Sequence, residues 1–225
     1  NIEIISKIEN ALNDNRSKKY FFGKDFNILK AENSFIQYED SEGSIILPEP
    51  NILGDHQLTN ISTSIAVARK LFNIKNNDIK KGITNINLKG RLQEITSGKL
   101  KNLVGSNRLV CDGGHNINAA KAIANWIKQQ NQEVHLILGM MKDKDHKGFV
   151  KCFKDNIKSI TLIDIPNQEG SISKEELKKK LNGIHRQINL SNSIEESVKL
   201  INKNEDDLCL IIGSLYLIGE VLNLN

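Results

Sequence analysis

Three short polar segments stand out in the sequence, because each follows an apolar run and precedes a helical pattern. They are Asp112-Gly113-Gly114-His115-Asn116, the segment 139–146 and Gly213-Ser214. Glycine allows the chain to turn sharply and leaves room for a ligand beside exposed N–H groups. The unpaired N–H groups at a helix N-terminus favour phosphate or carboxylate. The pattern therefore predicts a polar rim that binds an anion.

Each segment also has a purely structural interpretation, and the residues alone leave both open. Several of the polar side chains could simply cap the following helices, namely Asn116 or Asn118, Ser214, Asp143 and Asp145. His115, an imidazole at a Gly-Gly turn, has no evident role in a core, and Asp112 at a strand end is similar, so both are candidates for chemistry. Arg91 follows Gly90 at a predicted hinge, where a guanidinium would suit a polyphosphate.

The elements that would position these segments alternate regularly from about residue 86 onward. Strands are expected at 108–112, 134–139, 158–163, 187–190 and 208–212, and helices at 117–130, 146–156, 173–181, 194–203 and 215–223. The runs VHLIL and LCLII lack polar alternation, as central parallel strands should. This βαβα order predicts an α/β fold with a mostly parallel, doubly wound sheet, in which ligands bind beyond the carboxyl ends of the strands.

Residues before position 86 follow a different rhythm. Apolar spacing predicts helices at 1–15, 59–73 and 76–83, and short strands at 19–23, 26–30, 34–39 and 43–47. Thr59 or Asn60 is the expected cap of the helix at 59–73. This mixture looks incomplete as a domain. We therefore expect a domain boundary near 86–90, with 87–95 as a hinge leading into a strand.

Composition narrows the class of protein. The net charge of +4 is too small and too dispersed for a nucleic-acid-binding protein, and the basic segment 174–186 is interpreted as a solvated helix face. No apolar run approaches the ~20 residues that span a bilayer. Neither a phosphate loop nor a G-x-G-x-x-G motif occurs in the 225 residues. Cys111 and Cys209 lie in apolar runs, so buried, reduced thiols in a cytoplasmic protein are expected. His135 is interpreted as a hydrogen-bonded core or surface histidine.

Five motifs, taken together and in order, resemble folylpolyglutamate synthase/dihydrofolate synthase of the Mur ligase superfamily. They are GDHQLTN (54–60), GRLQ (90–93), DGGHN (112–116), GMMKDKD (139–145) and GSLYLIGEV (213–221). The resemblance implies that 87–225 form a Rossmann-like C-terminal domain and that 1–86 are the last part of an ATP-binding central domain. The family's phosphate loop, magnesium ligands and carbamylated lysine would then precede Asn1. The 225 residues alone are therefore expected to be inactive.

The same resemblance implies a reaction and roles for particular residues. ATP would phosphorylate a carboxylate of dihydropteroate or of a folate γ-glutamate, and the amine of L-glutamate would attack the acyl phosphate. On matching positions, Asn60, Arg91 and Asp112 would contact ATP, and Asp112 would bind a ribose hydroxyl or order the domain junction. His115 and Ser214 would lie near the incoming glutamate or the reacting phosphate. Mg²⁺ is the expected metal, and a monomer the expected state.

Two departures from the family pattern accompany the match, and two other functions stay open. Ile117 stands where proline commonly follows, and Gln93 replaces a commoner glutamate, which removes a negative charge near Arg91. The last motif favours the folate branch over a cell-wall Mur ligase. A non-catalytic module that binds a nucleotide or an amino acid is the alternative of another class. Binding of nucleic acid or membrane is not expected.

Overall fold

The computed structural model describes residues 2–11, 18–31, 33–154, 156–203 and 205–225. The chain divides into two compact units, of which the first comprises 1–51 and 55–87 and the second comprises 52–54 and 88–225. Each unit contains its own β-sheet. In the part of the chain that the structure describes, no helix combines the length and apolar character needed to cross a membrane.

The first unit is an antiparallel sheet with helices. Its elements are α1 (Ile2–Ala11), β1 (Phe26–Lys30), β2 (Phe35–Asp40), β3 (Gly43–Pro48), α2 (Asp55–Leu71) and α3 (Asn76–Thr84), with the strands in the order β1-β2-β3. Alternate strand residues such as Ile36 and Tyr38 are buried, as are Ile61 and Ile65 one turn apart on α2. The Arg69 guanidinium of α2 donates to both carboxylate oxygens of Asp40, at 2.9 and 3.2 Å. This charged pair joins α2 to the end of β2.

Two predictions for this unit are wrong, and one lies partly outside the described residues. Residues 19–23 form no strand and contribute only an isolated bridge between Phe22 and Phe26. Helix α2 begins at Asp55, so Thr59 and Asn60 lie inside the helix and do not cap it. The acidic side chain of Asp55 in the first turn favours this earlier start, because it opposes the positive end of the helix dipole. The helix expected at 1–15 is confirmed for 2–11, and its remaining positions lie outside the described residues.

The second unit has the expected α/β architecture. Its strands are β4 (Gln93–Glu94), β5 (Arg108–Asp112), β6 (Val134–Leu138), β7 (Ser159–Leu162), β8 (Ile188–Leu190) and β9 (Leu208–Ile212). Its helices are α4 (Lys99–Val104), α5 (Ile117–Ile127), α6 (His146–Lys151), α7 (Lys174–Lys180), α8 (Ile194–Lys199) and α9 (Leu215–Leu224). The sheet order is β4-β5-β9-β6-β7-β8, and every neighbouring pair is parallel except β4 with β5. The prediction of a mostly parallel, Rossmann-like sheet is confirmed.

Helices cover both faces of this sheet and form two apolar cores. Successive residues of β9 alternate between the two cores: Leu208 and Leu210 face α5, α6 and α7, while Cys209 and Ile211 face α4, α8 and α9. Burying one such aliphatic side chain contributes about 1.5–3 kcal/mol. The strands are therefore apolar on both sides, which explains why their sequences show no polar alternation.

Element ends differ from the sequence predictions in places. Helix α4 was not predicted, because it is only six residues long and lies between Gly98 and Gly105, both at positive φ. Helices α6 and α8 end at Lys151 and Lys199, earlier than the apolar pattern indicates. In both cases the chain continues in turns that keep apolar residues such as Phe153 and Ile201 buried. The apolar pattern of the sequence indicates which residues are buried, and here buried residues continue past the end of the helix.

Candidate functional site

The three polar segments meet at one edge of the large sheet. Strand β9 lies between β5 and β6, and Asp112, Ile212 and Leu138 are in register at the carboxyl ends of these strands. Gly213 has a φ of 118°, and a Cβ atom there would overlap the carbonyl oxygen of Gly139. The turns after β9 and β6 therefore approach each other more closely than any side chain would allow. The expected polar rim is formed.

Asp112 connects the turn after β5 with the turn that carries Arg91. Its side chain is 2% exposed, and its two carboxylate oxygens accept hydrogen bonds from the Gly114 N–H at 2.6 Å and the Leu92 N–H at 2.8 Å. Leu92 is itself held at a φ of 43°, an unusual conformation for a residue with a side chain. Asp112 thus orders the backbone of both turns, and the two roles that the resemblance implies for it, a contact with a ribose hydroxyl or ordering of the domain junction, stay predictions.

Arg91 lies in a turn that is tied to β5 at several points. The Gly113 N–H donates to the Gly90 carbonyl oxygen at 2.9 Å, and the Gly90 N–H donates to Gln93 Oε1 at 2.9 Å. The Arg91 guanidinium extends over Gly113, where an added Cβ would come within 2.8 Å of Nη1. Nη1 also donates to the Gly90 carbonyl at 3.1 Å. Gln93 thus closes the turn as a neutral acceptor.

The positive charge of Arg91 has no carboxylate partner in the described part of the chain. Its recorded hydrogen bond goes to a backbone carbonyl, and it takes part in no salt bridge between described residues. By contrast, Arg69 and Arg108 each pair with acidic side chains. A half-buried guanidinium held beside a glycine turn without a counter-ion is well suited to an anionic ligand.

His115 follows the same turn. Its Nδ1 is 3.0 Å from the carbonyl oxygen of Gly113, so the hydrogen belongs on Nδ1 and Nε2 is left as an acceptor in the neutral ring. The pKa of Asp143 is lowered chiefly by its hydrogen bond with Lys144, with a smaller electrostatic effect of His115. His115 therefore lies between the turn after β5 and the segment that follows β6.

Helix caps account for several polar residues at the rim, as the structural interpretation predicted. Asn116 accepts from the Ala119 N–H at 2.9 Å at the start of α5, and Asp145 accepts from the Gly148 N–H at 2.9 Å at the start of α6. Ser214 is 3% exposed, and its Oγ accepts from the Tyr216 N–H at 3.2 Å at the start of α9. Ile117 stands where the family pattern has a proline, and in this chain the Asn116 cap starts α5 instead. A catalytic role for Ser214 stays a prediction.

Asn60 belongs to the first unit and lies in α2. Its side chain is exposed and donates to Gln57 Oε1 at 3.0 Å, and the Gln57 amide lies 3.0 Å from His56 Nε2. The three side chains thus form a short polar row along the first turns of the helix. A contact of Asn60 with ATP stays a prediction.

A potential set of metal ligands in the described residues lies elsewhere. His135, Glu205 and Asp207 bring one ligand atom each within 4.8 Å of one another. They lie at the amino ends of β6 and β9, and the Lys158 ammonium is already 3.0 Å from Glu205 and 3.1 Å from Asp207. The group therefore does not fit a magnesium ion that serves the rim. His135, bonded to Ser159 Oγ at 2.7 Å and buried, confirms its interpretation as a core histidine.

Some residues that shape the site were not assigned roles from the sequence. Leu92 supplies a backbone N–H to Asp112, and Gln93 closes the Arg91 turn. Leu92 directly follows Gly90-Arg91, but no pattern in the sequence indicated that its backbone N–H would bind Asp112. Gln93 was noticed as a departure from a family pattern, but its hydrogen bond depends on the folded turn.

The rim joins helix N-termini to the Arg91 guanidinium, which has no carboxylate partner among the described residues, at the edge of a parallel sheet where α/β domains commonly bind ligands. Residues 90–215 match the model of the family "Mur ligase, glutamate ligase domain", and the chain belongs to this family. Its relatives include the folylpolyglutamate synthase of Lacticaseibacillus casei, 24% identical over 211 residues, which cover 89% of this chain and 46% of that protein. The dihydrofolate synthase/folylpolyglutamate synthase of Buchnera aphidicola (strain APS) is 29% identical over 182 residues, or 79% of this chain and 41% of that protein.

Solved structures show the same fold. Escherichia coli FolC in complex with DHPP and ADP superposes with a TM-score of 0.79 at 21% identity, covering 97% of this chain and 50% of that one. The Yersinia pestis bifunctional folylpolyglutamate synthase/dihydrofolate synthase, complexed with AMPPNP and Mn ion, gives a TM-score of 0.81 at 19% identity. The chain spans half or less of the length of these proteins. The resemblance to the C-terminal portion of folylpolyglutamate synthase/dihydrofolate synthase is confirmed.

Proposed function

We propose that this chain is the glutamate-ligase part of an ATP-dependent enzyme that joins L-glutamate to dihydropteroate, to folate glutamates, or to both. The observation that carries the proposal is Arg91, a guanidinium without a carboxylate partner in the described residues, held beside the N-termini of α5 and α9. Relatives named as folylpolyglutamate and dihydrofolate synthases support this choice of substrates.

The proposed reaction forms one amide bond and consumes one ATP. The γ-phosphoryl group of ATP is transferred to a substrate carboxylate, which gives ADP and an acyl phosphate. The amine of L-glutamate then attacks the acyl carbon, the C–O bond to phosphate breaks, and inorganic phosphate leaves. The attacking nitrogen must lose a proton during this step. His115 Nε2, which is an acceptor in the neutral ring, is suited to receive it.

The remaining residues have distinct proposed roles at the rim. Arg91 neutralises charge on the phosphate or on the leaving group. Asp112 acts as a positioning residue, because it binds the amide of Leu92, which follows Arg91, and the amide of Gly114, which follows the glycine beneath the Arg91 guanidinium. Ser214 presents the N-terminus of α9 to a carboxylate of the incoming glutamate. A contact of Asn60 with ATP is also part of the proposal.

The cofactors and the domain organisation follow the resemblance. ATP is the proposed phosphoryl donor and Mg²⁺ the proposed metal, which when bound would offset the charge of the phosphates. Relatives crystallised with ADP, or with AMPPNP and Mn ion, support a nucleotide and a divalent metal. We assign 1–86 to an ATP-binding central domain and 87–225 to the glutamate-ligase domain. A monomer in the cytoplasm, without nucleic-acid or membrane partners, is the proposed state.

Substitution of Arg91 in the complete product of the gene tests the proposal. With ATP, radiolabelled L-glutamate and dihydropteroate or folate, we expect Arg91→Gln to lower kcat/KM by about 10²-fold, a usual cost of removing one donor to developing charge. Arg91→Lys should retain part of the activity, because it keeps the charge without the planar fork. The matched control is Arg186→Gln, which removes an exposed arginine distant in sequence from the rim segments. Wild-type activity in Arg91→Gln would refute the role of Arg91, and no ligation by the wild type would refute the function.

Assays on the 225-residue chain distinguish the proposed ligase from a non-catalytic binding module. The prediction is that they do not ligate glutamate to folate, because activation by the γ-phosphate requires machinery that this sequence lacks. Titration calorimetry with ATP and L-glutamate is the corresponding measurement. Tight binding of either ligand by these residues, together with an inactive complete gene product, would favour the binding module.

A further inference from the structure

The positive charge of the second unit is concentrated on one face of its sheet. Helices α5, α6 and α7 together contain seven lysines and two glutamates, whereas α4, α8 and α9 contain three lysines and three glutamates. Both helix layers belong to the same lysine-rich chain, so composition alone does not account for the difference. We name the exposed lysines of the first layer the lysine face, namely Lys121, Lys147, Lys151, Lys178, Lys179 and Lys180.

Most of this charge is not neutralised within the described residues. Lys180 pairs with Glu176 at 3.6 Å, and no salt bridge between described residues is recorded for the other five. On the opposite face, Lys99 pairs with Glu195 at 3.2 Å, and Lys101 donates to the carbonyl oxygens of Gly105 and Asn107. Two of the three lysines on that side thus have structural partners, whereas five of the six on the lysine face have no recorded salt bridge between described residues.

The placement of these lysines is unfavourable for the isolated helices. Lys147 and Lys151 are four residues apart on α6, where like charges repel. Lys147 also lies in the first turn, where the helix dipole disfavours a cation. Helices α5 and α6 themselves contain no acidic residue, and the Asp145 cap at the start of α6 offsets only part of this charge. The repulsion between these lysines lowers the stability of the free protein. A bound anion would offset the repulsion, which would explain why the lysines are placed there.

We propose that the lysine face binds the γ-glutamyl chain of a folate polyglutamate, and this proposal rests on the proposed function. Both α5 and α6 begin at the rim where the reaction is placed, so an anionic chain leaving the rim can pass directly onto their outer surfaces. Each γ-linked glutamate adds one α-carboxylate, and lysines bind such carboxylates as separate point charges. The lysine face therefore favours longer chains.

Other polyanions fit this face less well. No exposed large apolar or aromatic side chain of the described residues lies on α5, α6 or α7, and Trp126, Phe149 and Phe153 are buried. Stacking on single-stranded nucleic acid requires exposed aromatic rings, and binding at a membrane surface requires apolar anchors. The helices also contain no arginine, the residue most suited to bidentate contacts with phosphate. A flexible polycarboxylate is the remaining ligand class.

The test measures binding of penta-γ-L-glutamate by the 225-residue chain, using titration calorimetry at low salt. We expect it to bind at least about tenfold more tightly than L-glutamate, with an affinity that falls as salt screens the charges. The variant Lys121→Gln/Lys147→Gln/Lys151→Gln should bind the peptide about tenfold more weakly, since each exposed ion pair makes a small contribution. The control Lys99→Gln/Lys199→Gln/Lys203→Gln removes the same charge elsewhere and should stay within about twofold of the wild type.

Three results would overturn the proposal: no difference between pentapeptide and L-glutamate, equal weakening by the two triple variants, or equal binding of a single-stranded oligonucleotide or of vesicles containing phosphatidylserine. Ligation of the first glutamate by the wild-type complete gene product is measured separately. Its absence would refute the proposed function, whereas absence of peptide binding beside an active enzyme would refute only the lysine face.

Discussion

Replacing Asp112 with alanine removes two buried hydrogen bonds from a carboxylate to the backbone N–H groups of Leu92 and Gly114. A hydrogen bond to a charged group contributes about 1.5–3 kcal/mol. The loss of both should therefore lower the free energy of unfolding by about 3–6 kcal/mol, which is a large fraction of the ~5–15 kcal/mol of an ordinary domain. Asp112→Asn keeps one acceptor oxygen but turns an NH₂ group toward the other N–H. Its expected cost is about 2–3 kcal/mol.

Urea unfolding followed by circular dichroism measures both values. The midpoint should fall while the slope stays constant, because the surface exposed on unfolding is unchanged. Hydrogen exchange of Asp112→Asn adds a local readout: the Leu92 and Gly114 amides should exchange faster, and those of β7 should not. Asp143→Ala is the matched control, since Asp143 is exposed and its recorded salt bridge among the described residues is with its neighbour Lys144, so its urea midpoint should stay close to that of the wild type. A cost below about 1 kcal/mol for Asp112→Ala would refute the positioning role.

Three further outcomes follow from the same structure. Gly213→Ala should cost about 3 kcal/mol or more in urea unfolding, because a Cβ at a φ of 118° would overlap the Gly139 carbonyl, while Gly219→Ala in α9 meets nothing within 4 Å and should add about 0.5–1 kcal/mol. A loss of unfolding free energy in Gly219→Ala as large as that in Gly213→Ala would contradict this expectation. Burial opposes ionisation of Asp207, but hydrogen bonds with Glu205, Lys158 and His135 hold its pKa below the ordinary value. The ionised carboxylate therefore contributes to the free energy of unfolding above about pH 4, and this contribution is lost as the pH falls through the native pKa. The urea midpoint of the wild type should therefore decline on acidification more steeply than that of Asp207→Asn, and parallel declines would count against it. Burial raises the pKa of Cys111 to about 12 and raises that of Cys209 as well, so iodoacetamide should modify half-buried Cys152 first, as read by peptide mass spectrometry; earlier labelling of either buried thiol would be inconsistent with the fold.

Much of the second unit was predictable, because its strands and helices are strongly patterned. The runs at 108–112 and 208–212 coincide with β5 and β9, and the start of α5 at Ile117 follows from its Asn116 cap. Local signals were weaker in the first unit. The aromatic segment 19–23 has strand-forming residues but finds only one bridging partner, since strand formation depends on a neighbouring strand more than on propensity.

The residues of the site were also predictable as candidates, but their roles were not. Asn116 or Asn118, Asp143 and Asp145, and Ser214 were named as possible helix caps, and Asn116, Asp145 and Ser214 do cap, because a cap depends on residues within one turn. The bond between Asp112 and Leu92 crosses 20 positions of the chain, and no local pattern encodes it. Gln93 shows the same limit, since its role as acceptor for Gly90 exists only once the turn has formed.

By itself the sequence determined the alternation of strands and helices, the polar segments at the strand ends and the resemblance to a ligase family. These properties depend on local composition and spacing, which the chain carries before it folds. Only the tertiary structure decided that β9 lies between β5 and β6, which brings the three segments to one edge. It also decided that Asp112 accepts hydrogen bonds from the Leu92 and Gly114 amides, and that the exposed lysines of α5, α6 and α7 gather on one face. The order of the strands and the placement of the lysines on one face both depend on packing between distant parts of the chain. Local sequence patterns therefore do not predict them.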